Sequence, residues 1–312
     1  MADASLQLIR IYMHMLTAAN ETESPSSKLG VDPAVACSPP AAHSFFVDVD
    51  GGRIACDDTG GDGPLIIAIP GMGDVRAEYR YLSPLLIAAG YRVVTMDIRG
   101  HGDSSARWDD YSARAVGSDA LAVARHLGRT EVFLFGNSFA DGSALWAARE
   151  APEHVRGVVL LGPIVRDGPP SVVTRLALTL GFGGPWRVWF WLTYWNSLFP
   201  LAKPPDHARY RRALGKALRG PGRMEALRIM VGLSKAETES IVDTVKVPAL
   251  VVMGSRDPDF RDARDEAAWL AGKLGCTSLI IEGAGHYPHV EAPGQVADAL
   301  VDFLERLRPG AR

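Results

Sequence analysis

The chain has 312 residues, 47% of them hydrophobic and 22% charged, with a formal net charge of −3. This length and apolar content suffice for one large core with an inserted subdomain, and the near-neutral charge gives no broad electrostatic reason to bind nucleic acid. Cys37, Cys56 and Cys276 are scattered without C-x-x-C spacing, which indicates neither a disulfide framework nor a zinc site and favours a reducing, cytoplasmic setting.

At the N-terminus, Leu6 to Leu16 is apolar but interrupted by Gln7, Arg10 and His14, with no basic region before it. Such a segment is too short for a membrane span and poorly shaped as a secretory signal. Leu6 to Ala19 is compatible with a short amphipathic helix, and Asn20 to Pro40, rich in Ser, Pro and Ala, reads as a linker. Residues 1–42 are therefore an extension and linker, with the core starting near His43.

A hairpin follows, Phe45 to Val49 and Arg53 to Asp57, turning at Asp50-Gly51-Gly52. The apolar run Ile66-Ile67-Ala68-Ile69 leads into Pro70-Gly71-Met72-Gly73, and Val93-Val94-Thr95-Met96 leads into Asp97-Ile98-Arg99-Gly100-His101-Gly102-Asp103-Ser104. Helices are expected over Tyr79 to Ala89, Ala113 to Leu127, Gly142 to Ala151 and Gln295 to Leu307. Strands alternating with helices give a mostly parallel sheet, with ligand sites outside the carboxyl ends of the strands.

The densest chemical signal is Gly136-Asn137-Ser138-Phe139-Ala140, delivered by the buried run Val132-Phe133-Leu134-Phe135 and followed by helix-compatible sequence. A strand that turns at once into a helix through small-Ser-small holds the serine at a strained corner, exposed as a nucleophile candidate. An ordinary turn with a hydroxyl cap has the same local pattern, so partners elsewhere must decide. Asp141, in the first helical turn, reads as a structural group that favours the helix dipole.

Between the Val158 and Ala249 runs the alternation breaks for about eighty residues, too long for a structureless loop, so residues 164–244 are expected to form an inserted helical cap. Within it Trp186, Trp189, Trp191 and Trp195 supply four of the seven tryptophans. They either cement the cap to the core or line an apolar substrate pocket. Arg209, Arg211, Arg212, Lys216 and Arg219 form a basic helix face, read as solvated.

Two further apolar runs end in candidate partners. Ala249 to Met253 leads to Gly254-Ser255-Arg256-Asp257, and Ser278 to Ile281 leads through Glu282-Gly283-Ala284-Gly285 to His286. Asp259 and Asp167 compete with Asp257, and His289 with His286. The order is thus Ser, Asp, His on successive strand ends.

With these segments in this order, residues 44 to 306 resemble the α/β-hydrolase superfamily, in its serine-nucleophile esterase and haloperoxidase-like branch with an inserted cap. The resemblance implies an α/β fold with a core of residues 43–163 and 245–312. It also implies a triad of Ser138, Asp257 and His286, and an oxyanion hole from the backbone N–H groups of Met72 and Phe139. His101 falls in a tight structural turn. Pro70 stands where the family has a His, and Ala140 where it has a Gly; neither change removes a catalytic group.

The implied function is a cofactor-independent, metal-free serine hydrolase of carboxylic esters or lactones with an apolar portion. Trp186, Trp189, Trp191, Trp195 and Tyr287 are the candidate pocket residues. The small-molecule substrate is the expected partner, beside a possible homodimer and without nucleic acid or a membrane span. Carbon–carbon bond hydrolysis of a vinylogous diketone, as in meta-cleavage product hydrolases, is the alternative chemistry, and a non-catalytic, receptor-like binder is the alternative class. Epoxide and haloalkane hydrolases use an Asp nucleophile, against Ser138 here.

Overall fold

The computed structural model describes residues 42–168 and 172–308. The expected N-terminal helix and linker lie outside these residues. Eight strands form one sheet in the order β1-β2-β4-β3-β5-β6-β7-β8. The strands are β1 His43–Val49, β2 Gly52–Asp58, β3 Leu65–Ile69, β4 Arg92–Met96, β5 Val132–Asn137, β6 Val155–Leu161, β7 Ala249–Gly254 and β8 Thr277–Ile281. The β1–β2 hairpin and the β2–β4 pair are antiparallel; all other pairs are parallel. Strands β3, β5 and β7 are buried at every position, as expected where helices cover both faces of a parallel sheet. This is the α/β-hydrolase architecture.

Helices α1 Leu82–Ala88, α2 Ala113–His126 and α3 Phe139–Glu150 precede β6. One apolar layer packs Val116, Ala120 and Leu145 of α2 and α3 against Leu134, Leu160 and Val251 of the sheet. The opposite layer packs Phe133, Phe135 and Val159 against Leu82 and Leu86 and against Val296 and Leu300 of the closing helix. Among the described residues between β6 and β7 lie five α-helices and no strand: α4 Val172–Phe182, α5 Arg187–Ser197, α6 His207–Leu218, α7 Arg223–Val231 and α8 Ala236–Ile241. The chain ends with α9 Ala263–Leu274, the short α10 Pro288–Glu291 and α11 Pro293–Glu305.

Two boundaries depart from the sequence expectation. Tyr79 to Ala89 is not one helix: a 3-10 turn, Arg76–Arg80, precedes α1. Pro84 explains the break, because inside a longer helix it lacks the N–H that would bond to the carbonyl of Arg80. Helix α3 begins at Phe139, not Gly142, so Ser138 is its N-cap.

The helical insertion is fastened to the core by polar contacts. Asp74, buried after β3, accepts hydrogen bonds from Trp195 Nε1 of α5 at 3.0 Å and from the Tyr210 hydroxyl of α6 at 2.5 Å. Asp206 accepts a two-pronged pair from Arg80, Nε and Nη2 each at 2.8 Å, and a third bond from the Tyr81 hydroxyl. Such a fork is the geometry in which an arginine pair is strong and directional. Replacing Asp74 by Ala strands two buried donors. The expected loss in a urea unfolding experiment is about 2–4 kcal/mol, and a loss below about 0.5 kcal/mol would show that this contact does not hold the insertion in place.

Candidate active site

The corner between β5 and α3 is sharp because two backbones must nearly touch there. A Cβ on Gly136 would sit 2.6 Å from the Ala140 carbonyl group and from the Asp141 nitrogen, so only glycine lets α3 double back over the strand. Ser138 itself adopts φ 61° and ψ −121°, and it is the one non-glycine residue with positive φ among the described residues. Its N–H donates to the Leu161 carbonyl at 3.0 Å, and its carbonyl accepts from Ile164 N and Asp141 N, each at 3.2 Å. The β6 end therefore clamps the strained residue from both sides.

Asp257 lies past β7 and His286 past β8, and the fold brings them together. His286 Nδ1–H donates to Asp257 Oδ2 at 2.7 Å, with both side chains almost fully buried. Asn137 joins this pair to the serine corner, because its Nδ2 donates to the carbonyls of Leu161 at 2.7 Å and His286 at 3.2 Å. Asp259, the competing acid, also faces the imidazole: its Oδ2 lies 3.4 Å from His286 Nδ1. The Tyr194 hydroxyl of α5 contacts both of its oxygens, at 2.7 and 2.8 Å. Asp167 is elsewhere, exposed and holding Ser234 and Lys235 N.

Burial alone would lower the His286 pKa, but the charges of Asp257 and then Asp259 outweigh it and raise it to about 9. Asp259 is itself pushed up by burial. The ligand atoms of Asp257, Asp259 and His286 lie within 4.8 Å of one another. Here Nδ1 is engaged in the bond to Asp257 Oδ2.

The loop after β3 is held by three residues to which the sequence reading gave no such role. Gly71 N donates to Glu78 Oε2 at 2.9 Å, and Gly73 N donates to His101 Nε2 at 2.9 Å. His101 Nδ1–H then donates to the Arg99 carbonyl. Burial lowers the His101 pKa to about 4, so this imidazole is neutral, in the tautomer with Nε2 as acceptor. Glu78 is raised well above the usual carboxylate range by burial and by Asp74, and it pairs with His289 Nε2 at 3.0 Å. Burial brings His289 down to about 3, so its imidazole is neutral. With Gly71 N and Gly73 N both engaged, Met72 N between them has no partner among the described residues.

The tryptophans divide. Trp191 is buried with Nε1 toward the Gly73 carbonyl at 3.3 Å, and Trp195 is buried on Asp74. Tyr287 stacks on Phe199 at 4.9 Å and meets the His286 ring edge-on at 5.6 Å. Trp186 and Trp189, by contrast, are 53% and 57% exposed. The cleft that Trp189 lines contains none of Ser138, Asp257 and His286. Trp189 on α5 and Trp186 at its N-cap are thus exposed, whereas Val188, Trp191 and Trp195 of α5 are buried. A smaller cavity, about 240 Å³, borders Phe139 and Ile164 and is otherwise lined by Trp146, Leu233 and polar rim residues.

The sequence profile of the alpha/beta hydrolase family matches residues 66–299. The chain belongs to that family. Epoxide hydrolase A of Mycobacterium tuberculosis is 23% identical over 328 residues, covering 84% of this chain and 97% of that protein. Among solved structures, a bromoperoxidase from Bacillus anthracis aligns with a TM-score of 0.73 at 20% identity, over 84% of this chain and all of that one. Est816, described as an N-acyl homoserine lactone degrading enzyme, aligns at 0.69 and 19% identity, over 83% and 100%. At these identities the structural likenesses establish the fold alone.

Asp259→Asn keeps an acceptor for Tyr194 and removes one charge from the imidazole. In a proton NMR titration, the His286 resonance of this variant should titrate at lower pH than in the wild type. An unchanged midpoint would mean that Asp257 alone sets the protonation of His286.

Proposed function

We propose that this member of the alpha/beta hydrolase family is a cofactor-independent serine hydrolase of carboxylic esters or lactones with an apolar portion. The observation that carries the reading is the serine at positive φ on the β5–α3 corner, joined through Asn137 to a buried His286–Asp257 pair. In the proposed reaction the neutral form of His286, whose population grows as pH rises toward about 9, takes the Ser138 proton at Nε2 as Oγ attacks the substrate carbonyl, and returns it to the departing alcohol oxygen. The resulting acyl-serine is hydrolysed by water activated by the same imidazole. Asp257 keeps the proton on Nδ1, so that Nε2 faces the reaction, and stabilises the imidazolium.

The oxyanion is proposed to bind between the N–H groups of Met72 and Phe139. Support comes from the loop: its flanking amides are engaged by Glu78 and His101, which leaves Met72 N–H available. Phe139 opens α3, where the first amides have no intrahelical acceptor and the dipole favours negative charge. Each such donor typically contributes about 3 kcal/mol in the transition state. The insertion is proposed to act as a cap, a role supported by the contacts of Trp191 with Gly73 and of Tyr194 with Asp259. Trp191, Trp195 and Tyr287, all buried, are the leading candidates for the apolar wall.

A panel of p-nitrophenyl esters of increasing chain length, a set of lactones and a coloured meta-cleavage product tests the reading. Ester or lactone turnover is expected, and Ser138→Ala should reduce it by about a thousandfold or more with the melting temperature nearly unchanged. Residual hydrolysis within about tenfold of the wild type would remove Ser138 from its role. Turnover of the coloured diketone alone would replace ester cleavage by carbon–carbon cleavage.

A further inference from the structure

Helix α4 carries an apolar stripe that the core does not cover. Val172, Leu176 and Leu180 recur every four residues on one helical face, and all three are exposed. Trp186 extends the stripe, since its Nε1 donates to the Leu180 carbonyl at 2.9 Å, and Trp189 lies one turn further on. Both indoles are more than half exposed. Monomeric soluble proteins seldom leave such a contiguous surface, with two tryptophans in it, facing water.

The surroundings of the stripe indicate what covers it. Residues 172–219 contain eight Lys or Arg and a single acid, Asp206, in a chain whose net charge is −3. Asp206 is already engaged by Arg80. On α6, Arg212, Lys216 and Arg219 follow one helix face, and among the described residues none of them forms a salt bridge. Arg219 and Arg187 also line an open cleft of about 560 Å³ with Trp189, Leu218 and Met224. A second copy of the chain docking on this face through a two-fold axis would bring the positive field against itself.

We propose that this face of the insertion is a docking surface for an anionic lipid bilayer. The stripe enters the interface, Trp186 and Trp189 sit at headgroup level, and the arginines and lysine meet lipid phosphates. Apolar insertion gives the interaction its depth, and charge gives it preference for anionic over neutral membranes. This inference is independent of the proposed ester chemistry, because none of its residues belongs to the Ser138 site.

The test is sedimentation of the full-length chain with sucrose-loaded vesicles of phosphatidylcholine, alone or with about one third phosphatidylglycerol. The expected result is partition about tenfold or more stronger into the anionic vesicles, falling steeply in about 0.5 M sodium chloride. Leu176→Glu with Leu180→Glu, and separately Arg212→Glu with Lys216→Glu, should each weaken that partition by about tenfold or more. Melting temperature and sedimentation velocity verify that the variants keep the fold. No partition of the wild type, equal binding to neutral vesicles, or undiminished binding by either pair would overturn the proposal. So would a wild-type dimer that Leu176→Glu dissociates, which would assign the face to a second copy.

Discussion

A seryl backbone held at φ 61° and ψ −121° is the constraint on which the rest of this structure depends. Such a conformation costs on the order of 1–3 kcal/mol and persists only where the surroundings over-determine it. Here they do. The bonds from Ser138 to Leu161, Ile164 and Asp141 fix the corner on β6 and α3, while Gly136 lets the helix pass. Release of that strain in the native state would require β5, β6 and α3 to separate, and these elements form the centre of the core.

Around this corner the protein buries several acids, and burial shifts them toward their protonated forms. Asp141 has one oxygen accepting from Leu161 N and the other without a partner, and burial raises its pKa well above the ordinary value. Burial thus opposes the ionised form that a helix dipole would favour, while the bond to Leu161 N joins the first turn of α3 to β6. Glu78, shifted the same way by burial, holds Gly71 N and pairs with the neutral imidazole of His289. Charge is thereby concentrated on one feature, the imidazole of His286 between Asp257 and Asp259. The Tyr194 hydroxyl ties that feature to the helical insertion, as does the bond from His286 N to the Leu198 carbonyl at 3.1 Å, so the position of α5 and the electrostatics of His286 are coupled.

Much of the architecture was legible because buried parallel strands are near-continuous apolar runs that end in short, glycine-bearing loops. Those runs placed Ser138, Asp257 and His286 at strand ends, and the fold brings Asp257 and His286 into direct contact. Pro84 marks the break ahead of α1 in the same local way. What could not be read are pairings between distant segments: Glu78 with His289 spans 211 positions and Tyr194 with Asp259 spans 65. No local pattern marks either member. The tryptophan cluster divides for a related reason. Density along the chain says nothing of which helix face each indole occupies, and residues at one spacing are buried on Gly73 and Asp74 while those at another face solvent.

The central claim is that Ser138 is an activated nucleophile, and covalent capture tests it most directly. Incubation with a fluorophosphonate, followed by intact mass and peptide mapping, should give one stoichiometric adduct on the peptide containing Ser138. Labelling should weaken on protonation of His286 and be absent in His286→Ala. An intact chain that stays unlabelled under conditions where a known serine hydrolase reacts, or an adduct mapped to another residue, would contradict the account.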